Sequence, residues 1–392
     1  ASLTANTTGA SNTACGRDAL AVTTTGSNNT AVGHDCLDNN TTGATNTAVG
    51  DSALGANTTA SNNTAVGYAA LLDNTTGTLN TGLGVQALAN NTTGANNTAV
   101  GVNSLYTATT AADNTAVGYN SLFANTTGVN NVGVGVNSLD ANTTGNNNTG
   151  LGTNALSANT TAEANVAVGV NALILNTTGA YNVAIGAFAG DSITTSSGNV
   201  AIGYQALSTE TAYSENTAIG YQALKTNSGG YYNVAVGHEA LLSNTTAQSN
   251  TGIGNDALRA NTTGAGGTAV GRNSLLANTT GAANTGLGHA ALAANTTGAG
   301  NVAIGNSLSA NTTASNNTAV GADSLEANTT GASNVAVGQV ALQANTTAAE
   351  NTAVGRAAMY TNTTGASNAA FGTDALYSNT TGAGNVALGA YS

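Results

Sequence analysis

The sequence predicts an all-β protein wound as a parallel β-solenoid, and three observations carry that expectation. First, a glycine preceded by Asn-Thr/Val-Ala/Gly and one large apolar residue recurs at Gly16, Gly33, Gly50 and Gly67, every 17 residues as far as Gly305. One step of 16 reaches Gly321, and the step of 17 then resumes to Gly389, giving 23 copies. A fixed period of this size marks a stacked-repeat architecture. Second, Gly, Asn and Thr dominate each copy, and apolar positions do not recur at helical spacing. Third, 41% of the chain is hydrophobic and sits in register in every copy, which a disordered low-complexity tract has no reason to maintain.

Each copy reads in order from its Asn. Asn stands four residues before the frame glycine in every copy but one, where Gly267 replaces it. Thr or Val follows, with Ala369 as an outlier, then Ala or Gly, then Val, Ile or Leu, with Cys15 and Phe371 once each. The alternation of branched and small residues is strand behaviour. The glycine and the later Thr-Gly-Ala supply corners, where positive φ is tolerated. Two faces of about six residues, or three of about four, fit the circuit once corners are subtracted, and the two-faced form, a flattened roll, is favoured. Val49, Val66 and Val100 are expected to line the interior as one ladder, and Leu54, Leu71 and Leu88 as another. The Asn column is expected to form an asparagine ladder from coil to coil. At roughly 4.8 Å per coil, 23 coils would make a rod of about 110 Å. The whole chain, 1–392, reads as one continuous repeat domain without separate caps. Tyr391 and Ser392 occupy the columns of Ala1 and Ser2. That register suits a segment of a longer repeat protein, or a subunit that stacks end to end.

Charge is sparse, with 17 acidic and 5 basic residues and a net charge of −12. Without clustered Lys and Arg, nucleic-acid binding is not expected. No apolar run reaches the roughly 18–20 residues of a membrane-spanning helix. His34, His238, His289, Arg17, Arg272, Arg356, Tyr68, Tyr119, Tyr204 and Tyr221 all follow a frame glycine, so this column is expected to face water.

Candidate chemistry is thin. His34–Asp35 and His238–Glu239 are the only neighbouring His–carboxylate pairs; adjacent residues on a turn suit surface decoration better than a catalytic pair. No phosphate loop and no calcium-binding nonapeptide is present, so neither an enzyme nor a bound cofactor or metal is expected. Cys15 and Cys36 read as small core residues, or alternatively as a disulfide joining the first two coils.

Asn-Thr-Thr triplets offer formal N-glycan acceptors at Asn6, Asn40, Asn57, Asn74, Asn91, Asn125, Asn142, Asn159, Asn176, Asn244, Asn261, Asn278, Asn295, Asn311, Asn328, Asn345, Asn362 and Asn379. The other reading is a structural corner. In copies that lost the Asn, at Thr23, Ala108 and Ile193, both following Thr residues survive. Thr kept without Asn points to a structural task for Thr.

Asn182-Val183-Ala184-Ile185-Gly186, its twin at 301–305, and Asn-Val-Ala-Val-Gly at 165–169, 233–237 and 334–338 resemble the head repeats of YadA-like trimeric autotransporter adhesins. The longer run Asn216-Thr217-Ala218-Ile219-Gly220-Tyr221-Gln222-Ala223-Leu224 is similar to repeats of bacterial and phage fibre proteins. The resemblance implies a left-handed parallel roll, commonly a trimer, at a bacterial or phage-like surface; the adhesin head repeat is shorter than 17 residues. The expected role is a structural subunit of an extracellular fibre or fibrous adhesin whose partners are copies of itself. A shaft or head binding a receptor or cell-surface glycan through the variable columns is the alternative. Ice binding is a remote third, because adjacent Thr residues on a strand point opposite ways.

Overall fold

The structure, a computed structural model, describes residues 2–210 and 214–392. Ala1 lies outside them, and so does Thr211, the one Thr retained after Glu210. Two compact units are present, Ala1–Gly198 and Asn199–Ser392. The first holds strands β1 (Thr13–Cys15) through β11 (Val183–Ile185), the second β12 (Val200–Ile202) through β23 (Val386–Leu388), each strand three residues long. No helix occurs among the described residues. Within each unit every strand pairs in parallel with the next in sequence. Thr13, Ala14 and Cys15 lie against Thr30, Ala31 and Val32, one full copy later. The 16-residue copy is accommodated without a slip, since Val302, Ala303 and Ile304 pair with Thr318, Ala319 and Val320. The fold is therefore a parallel β-solenoid whose circuit is the sequence repeat.

The circuit has one strand rather than two long faces. The reason is the backbone between strands, where three residues per coil join the frame glycine at positive φ. In the coil of Gly50 (φ 135°) they are Ser52 at 59°, Leu54 at 53° and Asn62 at 61°. A left-handed leucine costs roughly 1–2 kcal/mol, yet almost every copy has one. What offsets it is complete burial of the side chain and an N–H that donates to the next coil, Leu54 to Ala70 O at 3.0 Å. Reversals of this kind break strand geometry without breaking the bonding between coils. Ser52 N–H reaches back to His34 O (2.9 Å), Ala56 reaches forward to Leu72 O (2.9 Å), and Asn62 back to Ala44 O (3.1 Å). Backbone bonds thus run the whole way round the coil, as buried amides and carbonyls require.

The interior holds the left-handed Leu column and the central Ala or Gly of each strand, with Ala48, Ala65 and Ala99 among those inaccessible to solvent and only the terminal coils, as at Ala14 and Leu376, half-buried. This corrects the expected valine ladder. Val49, Val66 and Val100 are only half-buried, and Val32, Leu83 and Ile185 in the same column are exposed. In a three-residue strand the middle side chain takes one face and its two neighbours take the other. With Leu already filling the centre, the methyl-sized residue goes in and both branched residues go out.

The core reading of the cysteines holds for Cys36 and not for Cys15, and the alternative disulfide is absent. Cys15 and Cys36 are both free, the first exposed and the second buried. Cys15 occupies the outward third position of β1, whereas the Cys36 thiol points inward and donates to Ala48 O at 3.1 Å. Burial pushes the Cys36 thiol up to about 11, so it is a protonated, inert core group.

Candidate functional site

Two asparagine ladders stitch the coils together. In the strand column, Asn63 Oδ1 accepts from the N–H of Asn80 (2.9 Å), and Asn63 Nδ2 donates forward to Gly77 O (2.9 Å). The second ladder uses the Asn of Asn-Thr-Thr, where Asn57 Nδ2 donates to Asn40 Oδ1 (2.9 Å) and to Ala60 O (3.1 Å). Both ladders meet on one carbonyl, because Ala60 O also accepts from Asn46 Nδ2 at 2.8 Å. Each lone pair of that oxygen is filled by a different column.

That arrangement bears on the glycan reading. From Asn40 to Asn362 every candidate acceptor is buried, and its Nδ2 is turned to the carbonyl three residues on and, where an Asn stands one coil before, to that Asn's Oδ1, as in Asn74 to Gly77 O and Asn57 Oδ1, rather than to solvent. Asn6 and Asn379 are more open, yet each makes the same bond to the carbonyl three residues on, at 3.0 Å. A sugar on Nδ2 would replace a ladder hydrogen and need space the interior lacks, so the internal asparagines are structural in this fold.

The exceptions prove the dependence. Oδ1 of Asn91 and of Asn176 are buried without a partner, and the coils that follow carry Ala108 and Ile193 in place of the donating Asn. Where Glu210 enters the column, its carboxylate accepts from Asn227 Nδ2 at 2.5 Å.

The two threonines of the motif differ. The first sends its hydroxyl to the carbonyl of its counterpart one coil on, as Thr75 does to Thr92 O and Thr92 to Thr109 O, both at 2.9 Å. The second is exposed wherever it is described.

Outward strand residues and the column after the frame glycine form a ribbon. From Thr64 to Ala187 in the first unit it carries no charge, only Thr, Val, Leu, Ile, Tyr and one Ala. Leu83, Val85, Val102, Tyr119, Val136, Leu151 and Val170 are exposed along it. Eight coils at about 4.8 Å, with three outward columns, make a surface of roughly 500 Å². Elsewhere the third column carries charge at intervals, with Arg17, His34 and Asp51 before the ribbon and His238, Arg272, His289 and Arg356 in the second unit, among uncharged residues such as Tyr204, Tyr221 and Ala322.

Several of the charged and aromatic groups pair with one another. His34 lies 3.3 Å from Asp35 and 3.6 Å from Asp51, with Arg17 on its Nε2. His238, Glu239 and Asp256 bring ligand atoms within 4.8 Å of one another, but Arg259 Nε is 2.6 Å from Glu239 and 3.4 Å from Asp256. A cation there would have to displace that guanidinium. Tyr204, Tyr221 and His238 stack in three successive coils, with centroids 5.7 and 5.0 Å apart. The shared faces leave ring edges to a ligand.

Among the described residues there is no helix long and apolar enough to cross a membrane. The chain matches no known family model and no characterised protein.

Proposed function

We propose that this chain is a structural subunit of an extracellular fibre or fibrous surface adhesin whose main partners are further copies of itself. What supports the reading is that one set of bonds, backbone and both asparagine ladders, holds each coil to the next at nearly every step. A coil is therefore complementary to another of its kind, and a second molecule presenting the same coil can dock by the same bonds. The uncharged ribbon adds a lateral surface. Two such surfaces together cover about 1,000 Å², near the lower limit of specific interfaces. Placement at a bacterial or phage-like surface rests on the resemblance of Asn-Val-Ala-Ile-Gly repeats to adhesin heads.

Electron microscopy of the purified chain at rising concentration tests the assembly. Fibres or bundles are expected, and only short isolated particles at the highest concentration would overturn it. Val102→Glu with Val136→Glu, on exposed positions, should leave circular dichroism unchanged while abolishing bundles; unchanged bundles would remove the lateral surface from the account. A receptor- or glycan-binding role draws on the exposed Tyr68, Tyr119 and Tyr232. Replacing them by Ser should abolish cell adhesion with fibres intact if that reading holds.

A further inference from the structure

The Asn-Thr-Thr motif repeats more faithfully than the fold requires, and the excess lies on its second threonine. Asn is explained by its ladder, and the first Thr by its hydroxyl bond to the next coil. The second Thr makes no side-chain hydrogen bond among the described residues. Its backbone N–H alone serves the fold, as in Thr42 N–H to Thr58 O at 3.3 Å. Even so, Thr stands there in every copy except Ala212 and Gly229. Three residues on, the equally exposed column holds Asn28, Thr45, Leu79, Asp113, Tyr181 and Glu215. An exposed corner of this fold therefore tolerates almost any side chain. The invariant feature at the second Thr is a free hydroxyl turned to solvent, followed by Gly, Ala or Ser wherever both residues are described. No bulky neighbour crowds it.

We propose that these second threonines, not the asparagines, are the modified residues, as acceptors of O-linked sugars. In the transfer, Oγ1 bonds to the anomeric carbon of a nucleoside-diphosphate or polyprenyl-diphosphate sugar. The carbon–oxygen bond to the diphosphate breaks, the diphosphate leaves with its electron pair, and the hydroxyl proton goes to a base on the transferase. Adjacent acceptors are one coil apart, about 4.8 Å, which is too close for every hydroxyl to be filled. Occupancy is then partial and the mass heterogeneous. The inference is independent of fibre assembly, since it is read by mass and not by polymerisation.

The test is peptide mapping of protein purified from its native source, with electron-transfer fragmentation to place each added mass. Sugars are expected on residues such as Thr93, Thr127 and Thr144, removable by alkaline β-elimination. Unmodified peptides throughout would overturn the proposal. So would sugars on Thr92 or Thr126, or sugars released by an amidase specific for Asn linkage. Thr93→Val, Thr127→Val and Thr144→Val together supply the second measurement. Expressed in the native host, this variant should lose the mapped sugars at those sites and keep the unfolding midpoint of enzymatically deglycosylated wild type. A midpoint lowered as far as that of Thr92→Val would make the column structural and end the proposal.

Discussion

At the scale of single residues, neighbours of identical chemistry carry different energies because the coil aims them differently. Thr92 and Thr93 are the clearest pair. Thr92→Val removes a 2.9 Å hydroxyl bond to Thr109 O and should cost about 1 kcal/mol, whereas Thr93→Val in unmodified protein should cost nothing measurable by urea unfolding. Asp140 offers a pH test. Its Oδ1 is buried without a partner, and desolvation raises its carboxyl above the usual carboxylate range, against weaker backbone hydrogen bonds that lower it. A raised native value means that the protonated form suits the fold. Any contribution is present below the unfolded value of about 3.9 and is lost as pH rises through the native one. Asp140→Asn should therefore be more stable than wild type at pH 7, with the difference vanishing below about pH 4. Equal stability at both pH values would mean the carboxylate is solvated.

At the scale of the strand and its corners, glycine has two separate jobs. The frame glycine sits at φ near +135°, and a Cβ on Gly118 would stand 2.5 Å from the backbone oxygen of Gly135. Neither strain nor clash can relax without moving a coil, so Gly118→Ala should cost about 3 kcal/mol or more. Gly133, in the middle of its strand, meets closest a side chain, the Ser121 hydroxyl at 2.6 Å, which donates to Gly133 O, with Leu122 Cγ and Ser138 O farther off at 3.2 and 3.3 Å. Where Ser104 and Ser324 face an Ala instead, the hydroxyl turns to the frame glycine carbonyl of its own coil, at 3.1 and 3.0 Å. Ser121 can make the same turn. Gly133→Ala should accordingly cost under about 1 kcal/mol, and Ser121→Ala should add little to it in a double-mutant cycle. A loss as large as that of Gly118→Ala would refute the switch.

At the scale of the whole molecule, a stack of near-identical coils is as strong as its least bonded step. Among the described residues of the second unit, a step short of one bond is the 16-residue coil after Gly305. Its missing residue is the one whose N–H would reach back to His289 O, as Ala290 reaches Arg272 O (3.0 Å) and Asp323 reaches Asn306 O (2.9 Å) on either side. Gly305 has φ 100°, lower than the other frame glycines. Amide exchange should be faster in residues 289–308 than in the 17-residue coils on either side. Inserting one Asn between Asn306 and Ser307 should slow it and raise the unfolding midpoint, whereas a lowered midpoint would show that the short coil is the relaxed form.

Much of this was legible in one dimension. Period, parallel register, the buried Leu column and the asparagine ladder of the strand all follow from spacing, because a fixed circuit places like on like. What only the tertiary structure decided is direction. Thr58 and Thr59 are the same residue side by side, yet one is bonded to the next coil and the other is free, and no local signal separates them. Leu54 at positive φ carries no glycine or asparagine mark to announce it, and its reversal turned Val49 outward and Asn57 inward. Side-chain direction depends on backbone angles fixed by bonds between coils, and those bonds exist only once the neighbouring coil is in place.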